Sequence, residues 1–356
     1  MNRWENWDES KVRVRPNKKG SRPRTKESPT YSDAELGRVV TVDRGRYTVS
    51  LDDRVVSAVR AKALRRTPVV PGDIVGLVGD TSGEEGSLAR LVRIEERSTL
   101  LRRSADDTDE AERVIVANAD QLLIVVAAAD PEPRTGFIDR ALVAAYDAGI
   151  TPILLITKAD LAENPADPAG LVSHYAELNL TTVVSSRASE SRDLSASAVE
   201  ELQELLGGRV TAMSGHSGVG KSTMVNALTG ADRATGGVNA VTGRGRHTSS
   251  SAVALRLPEA NGWIIDTPGI RSFGLAHVDP DDVLAAFEDL VEGSADCEPG
   301  CAHESPEGGC ALDAWVEQGR AGEHGPARLK SLRGLLASLS GASEGPGEKR
   351  LGSVEP

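Results

Sequence analysis

The stretch Gly215-His216-Ser217-Gly218-Val219-Gly220-Lys221-Ser222-Thr223 fills the pattern G-x-x-x-x-G-K-[ST] and carries an extra glycine inside it. Glycines let a backbone wrap closely around an anion, with N–H groups turned inward and the positive end of the next helix aimed at the same point. In such a cradle Lys221 would reach the β- and γ-phosphates of a nucleotide, and Ser222 would ligate Mg²⁺. The alternative is a glycine-rich turn with one exposed lysine. A second signature lies upstream, where Thr157-Lys158-Ala159-Asp160 fits [N/T]-K-x-D. The Asp160 carboxylate can accept two hydrogen bonds from guanine N1 and N2, a donor pair that adenine lacks, and the Lys158 stem can lie over the base. Thr157 stands where asparagine is commoner, keeping a hydroxyl and losing an amide. Alone, the tetrapeptide also reads as a capped helix start.

A third group follows the phosphate loop. In Asp266-Thr267-Pro268-Gly269, Asp266 would hold Mg²⁺ through water and the Gly269 N–H would sense a γ-phosphate. The next residue, Ile270, cannot orient a water as a glutamine would. The segment Gly243-Arg244-Gly245-Arg246-His247-Thr248-Ser249-Ser250 is basic and rich in hydroxyls, as suits a switch loop closing on phosphate and Mg²⁺, with Thr248 as a ligand. His247 is the candidate to orient the attacking water; contact with RNA or backbone is its other reading. The chain's three cysteines fall between positions 297 and 310. An odd number so tightly clustered suits a metal better than a disulfide framework. Cys297, Cys301, His303 and Cys310 would close a tetrahedral Zn²⁺ site, structural because no position is left open; free thiols in a loop are the alternative.

These residues need elements to place them. Residues 210–213 are a short apolar strand feeding the glycine loop, and Met224, Val225 and Leu228 fall at helical spacing before a C-capping Gly230. Residues 122–126 and 152–156 read as buried parallel strands, joined by a helix with Phe137, Ile138, Ala141, Leu142 and Ala145 on one face. The second strand delivers Thr157 to Asp160 at its carboxyl end, where α/β proteins bind ligands. A further strand at 182–184 leads to Ser185 and Ser186, whose backbone would meet the base oxygen; a helix spans 197–206, and the strand 263–265 ends at Asp266.

Before this region, residues 36–97 alternate apolar and polar positions with tight turns at Asp43-Arg44-Gly45-Arg46 and Pro71-Gly72-Asp73. About five strands of this kind make an OB-like barrel, a fold that commonly binds oligonucleotides, although few aromatics are present for base stacking. Residues 98–114, with Leu100, Leu101, Arg102, Arg103 and an acidic run, read as a solvated linker. After the nucleotide motifs, Asp279-Pro280 opens a helix whose apolar face is Val283, Leu284, Phe287, Leu290 and Val291.

Hydrophobic residues make up 39% of the 356, and no run approaches the ~18 apolar residues of a membrane helix, so a soluble, cytoplasmic protein without membrane contact is expected. The net charge of −12 conceals segregation: residues 10–26 hold eight Lys or Arg. Residues 1–33 are expected to be a disordered basic tail, able to release counterions from nucleic-acid phosphates or merely solubilising, and 341–356 a second disordered tail.

The base-reading motif precedes the phosphate loop, the reverse of the ordinary GTPase order, so the α/β domain reads as circularly permuted. A barrel, a permuted GTPase and a Cys/His cluster resemble the ribosome small-subunit-dependent GTPase A family, the RsgA/YjeQ-like proteins. The resemblance spans about residues 35–320 and is carried by Thr157 to Asp160, Gly215 to Thr223, Gly245-Arg246-His247-Thr248 and Asp266 to Ile270. It implies an α/β, circularly permuted P-loop GTPase domain (112–275) between an N-terminal OB-fold barrel (34–100) and a C-terminal helical zinc-binding domain (276–340). It further implies GTP hydrolysis with Mg²⁺, GTP and GDP as ligands, and small-subunit rRNA as the partner of a monomer assisting late subunit maturation. The interval from Cys297 to Cys301 is shorter than the family's usual one. A P-loop ATPase or kinase, which Asp160 argues against, and a non-hydrolysing RNA-binding module are the competing readings.

Overall fold

Period-two alternation produces five strands, β1 (Glu35–Asp43), β2 (Arg46–Leu51), β3 (Arg54–Arg60), β4 (Ile74–Gly79) and β5 (Ala89–Ile94), in a computed structural model of the chain. It describes residues 31–64, 67–104, 112–186, 194–230, 252–258, 260–267, 273, 275, 278–306 and 309–339. Arg44 and Gly45 join β1 to β2 with φ of 44° and 84°, the positive values that a two-residue hairpin needs to match strand twist. Pairing runs β1-β2-β3-β5-β4 and returns to β1, with β3 and β5 parallel. This is a closed five-stranded OB-type barrel around Val39, Val49, Val56, Leu77 and Leu91. At its base the fully buried Asp73 accepts from Arg97 Nε at 2.7 Å and from the Val70 N–H at 2.8 Å, so the buried charge is both paired and hydrogen-bonded.

The expected linker is instead partly an antiparallel ribbon of β6 (Leu100–Ser104) and β7 (Glu112–Ala117). Leu101 and Val116 explain it: both are buried in the core of the following domain, which ties down a segment whose charges suggest solvent. The acidic residues 105–110 lie outside the described residues.

An α/β layer structure follows: β8 (Gln121–Ala127), α1 (Thr135–Asp147), β9 (Thr151–Thr157), α2 (Leu171–His174), β10 (Thr181–Val184), α3 (Ala196–Leu206), β11 (Val210–Ser214), α4 (Lys221–Thr229), β12 (Val253–Leu257) and β13 (Gly262–Asp266). Spatial order is β10-β9-β8-β11-β13-β12, parallel except for β12. Successive side chains of a strand face opposite sides. Accordingly Leu122, Ile124 and Val126 pack with α1 on one face, whereas Leu123 and Val125 pack with α3 and α4 on the other. The edge strand β12 also pairs with β1 of the barrel, Thr41 opposite Val253, so a single sheet of eleven strands runs through both domains.

The last region holds α5 (Pro280–Leu284), α6 (Glu288–Val291), α7 (Ala311–Glu317) and α8 (Gly325–Leu339). The single helix expected from 280 onward is broken, because Phe287 leaves helical geometry at φ −114°, ψ 73° and turns fully into the core. Val291, expected on the apolar face, is exposed as a result. Arg328 of α8 holds this region to the α/β domain. Its guanidinium donates to both carboxylate oxygens of Asp289 at 2.8 and 2.7 Å, donates to the Glu177 carbonyl, and lies over the Phe287 ring. Among the described residues no helix is long and apolar enough to cross a membrane.

Candidate functional site

The glycine loop emerges from the carboxyl end of β11, between β8 and β13, and hands over to α4 at Gly220. A Cβ at Gly215 would stand 2.4 Å from the Val125 carbonyl oxygen, so only glycine lets the loop descend against β8. Gly218 and Gly220 have φ of 84° and 95°, the left-handed region that glycine enters without steric cost. His216 sits beneath the loop with its ring 4.6 Å from that of Phe137 in α1. Val219 is buried, whereas Ser217 and Ser222 are exposed and Thr223 is half-buried. Gly230 ends α4 in left-handed geometry, as its spacing implies.

Lys221 folds over the loop, donating from Nζ to the Gly215 carbonyl and, at 2.7 Å, to that of His216. Burial lowers its pKa below the ordinary lysine value, and the Asp266 carboxylate opposes that shift. Parallel pairing sets Asp266 beside Met213, and the neighbouring Thr267 hydroxyl donates to the Met213 carbonyl, fixing the end of β13 to the strand that carries the loop. Lys221 and Asp266 are therefore close enough for their charges to interact, and Ser222 follows Lys221 in the first turn of α4. His247, Thr248, Gly269 and Ile270 lie outside the described residues.

The tetrapeptide at the end of β9 enters the same region. Thr157 is 3% exposed, and its hydroxyl donates to the Val219 carbonyl at 2.6 Å, with the Val126 carbonyl at 3.2 Å. Lys158 has left-handed backbone at φ 56° and donates from Nζ to the Asp130 carbonyl. Asp160 lies exposed in a short 3-10 turn. The Ser185 carbonyl accepts from the Ala159 N–H at 3.1 Å, and Ser186 follows with its carbonyl accepting from Ser195, so the β10 end borders the tetrapeptide as its position in the sequence suggests. Sequence reasoning overlooked Asp130. It stands just past the carboxyl end of β8, where ligand loops gather, and that position was the available signal.

Between α5 and α7, Cys297, Cys301, His303 and Cys310 bring four donor atoms within 4.8 Å of one another. His303 Nδ1 is 3.7 Å from the sulfurs of both Cys297 and Cys310. A tetrahedral ion about 2.3 Å from sulfur and about 2.0–2.1 Å from nitrogen separates its donors by roughly that span, so the set fits a zinc-type site. The far ring nitrogen, Nε2, donates to Asp281 at 3.0 Å, which orients the imidazole toward the thiols. The Ala311 N–H donates to Cys297 Sγ, and Arg333 donates to the His303 carbonyl while gripping Asp313 through two hydrogen bonds. Asp281 lies outside any ligand spacing, and no sequence signal marked it.

Strand order and loop positions together define a circularly permuted P-loop GTPase. The solved structures of YjeQ from Thermotoga maritima (TM-score 0.58, 24% identity, 86% of this chain and 99% of that one) and of YloQ, a circularly permuted GTPase (TM-score 0.59, 21% identity, 88% and 97%), share the fold. Residues 94–276 match the RsgA GTPase family. The chain is 38% identical over 262 residues to the small ribosomal subunit biogenesis GTPase RsgA of Pseudomonas aeruginosa strain LESB58, covering 72% of this chain and 73% of that protein. It is 34% identical over 278 residues to the protein of the same name from Chlorobaculum parvum, covering 76% and 85%. The chain belongs to the RsgA GTPase family, and its enzymatic class is that of a GTP hydrolase.

Proposed function

We propose that this chain hydrolyses GTP while bound to the small ribosomal subunit and assists the subunit's late maturation. The observation that carries the reading is the hydrogen bond from the Thr157 hydroxyl to the Val219 carbonyl, which sets the tetrapeptide ending β9 against the glycine loop, in a chain whose relatives are named for small-subunit biogenesis. Asp160 would read the base, the backbone of Ser185 and Ser186 would border it, and the loop from Gly215 to Thr223 would cradle the phosphates. Mg²⁺ would be held by Ser222, Thr248 and Asp266, supplying charge neutralisation across the β- and γ-phosphates. The barrel and basic tail would face rRNA. The chain would act as a monomer in the cytoplasm.

Because Ile270 cannot orient water, turnover by the free enzyme should be slow and completed by the partner, with His247 supplying the polar group. Purified small subunits should raise kcat by orders of magnitude while GTP affinity changes far less. His247→Ala should lose most of the stimulated rate and still bind GTP and subunit. A rate indifferent to subunits sinks the assembly role, and full stimulation of the variant sinks only the histidine's part.

The Cys297, Cys301, His303 and Cys310 set would hold one Zn²⁺ per chain as a structural ion. The loop from Cys297 to Cys310 buries little besides the ligands themselves among its described residues, and such a loop gains folding stability from an ion. Metal analysis after expression in zinc-replete medium should find stoichiometric zinc, and chelation should unfold the region around α7. A chain that contains no zinc and melts identically with chelator rules the site out.

A further inference from the structure

Thr157 ends β9 almost wholly buried, and both groups within hydrogen-bonding reach of its hydroxyl are backbone carbonyls, Val219 at 2.6 Å and Val126 at 3.2 Å. A hydroxyl carries a single proton, and carbonyls only accept. That proton is therefore spent on the protein's own backbone. Guanine presents N7 as an acceptor on the edge away from N1 and N2, so a side chain that contacts N7 must bring a donor. Asparagine has two N–H donors and can serve backbone and base together; threonine cannot.

The Val219 carbonyl lies outside the hydrogen-bond ladder of α4, which begins when the Gly220 carbonyl accepts from the Met224 N–H at 3.0 Å. In a planar trans peptide the N–H points opposite to the C=O. Fixing the Val219 carbonyl on Thr157 thus aims the Gly220 N–H away from β9. The two residues are in close register, because a Cβ at Gly220 would lie 3.7 Å from Thr157 Oγ1. With Gly215 lodged against Val125 of β8, the loop rests on neighbouring strands at both ends.

We infer that Thr157 is a positioning residue for the phosphate loop and not a reader of guanine, which leaves N7 without a donor from Thr157. The inference rests on the base-site reading given under the proposed function. Two consequences separate it from asparagine-type recognition. An analogue with carbon in place of N7 binds as well as the natural nucleotide, and removal of the hydroxyl weakens every nucleotide equally, through the loop.

The test is calorimetric titration of the full chain with GDP, 7-deaza-GDP and IDP in the presence of Mg²⁺, for the parent, Thr157→Val and Thr157→Ser. The parent should bind 7-deaza-GDP and GDP with equal affinity. Thr157→Val, which keeps shape and loses the proton, should bind both about tenfold more weakly, and Thr157→Ser should restore both. A penalty of about tenfold for 7-deaza-GDP in the parent, or unchanged affinities in Thr157→Val, overturns the inference. IDP lacks the N2 amino group, so a parent chain that binds IDP as tightly as GDP overturns the base reading itself and the inference with it. Melting of the free variants shows whether Thr157→Val is folded; should it not be, the 7-deaza-GDP comparison on the parent decides alone.

Discussion

Lys221→Ala is expected to lower subunit-stimulated GTP turnover by about 10²–10³, the usual effect of deleting one well-placed electrostatic group from a site that stabilises developing charge. The ammonium is held over the glycine loop by the Gly215 and His216 carbonyls, and burial already disfavours its charged form relative to water. An anionic ligand in the loop would offer this cation stronger acceptors than those two carbonyls. Alanine removes the charge and leaves the loop's backbone to its own supports, Val125 and Thr157. Single-turnover phosphate release should therefore collapse while the melting temperature of the free chain stays near that of the parent. A variant that turns over GTP within a few-fold of the parent would contradict the phosphate-loop assignment.

The second large effect concerns the choice of base. Asp160→Asn replaces an acceptor by a donor where guanine presents N1 and N2 hydrogens, and each lost charge-assisted bond costs about 1.5–3 kcal/mol. GTP affinity should fall steeply and xanthosine triphosphate, which carries an acceptor where guanine has its N2 amino group, should gain. The exposed position of Asp160, on a short turn beyond the buried Thr157, makes disturbance of the fold a poor explanation for such a switch. Competition between the two nucleotides for the parent and the variant measures it directly, and an unchanged GTP affinity removes Asp160 from the site.

Much of this site is legible in the chain itself, and the reason is local. Gly215 to Thr223 and Thr157 to Asp160 announce themselves because their chemistry depends on residue types a few positions apart. Buried strands such as β8 and β9 are legible because continuous apolar runs have few other uses in a chain of this composition. What escaped notice depends on distant partners. Leu101 and Val116 look like stray apolar residues in a charged linker until the core that receives them is present. Asp281 becomes a support for His303 only when α5 folds beside the cysteines. The direction of the Thr157 hydroxyl is set by Val219, far along the chain, and the sequence could say only that an amide was missing. The break at Phe287 arises likewise from the pull of a core that helical periodicity does not describe.

The pairing of Thr41 with Val253 has a bearing on synthesis. The barrel can close on itself as soon as β5 has left the ribosome, since all five of its strands come early and pair locally. The β8 to β10 half can then assemble, while its neighbour β11 is still to come. At Thr41, however, β1 keeps one edge that is filled only when β12 arrives, more than half the chain later. An open strand edge invites pairing with other chains. A polypeptide released before Val253 would thus carry a finished barrel with an unsatisfied flank, and the growing chain depends on continued elongation to seal it.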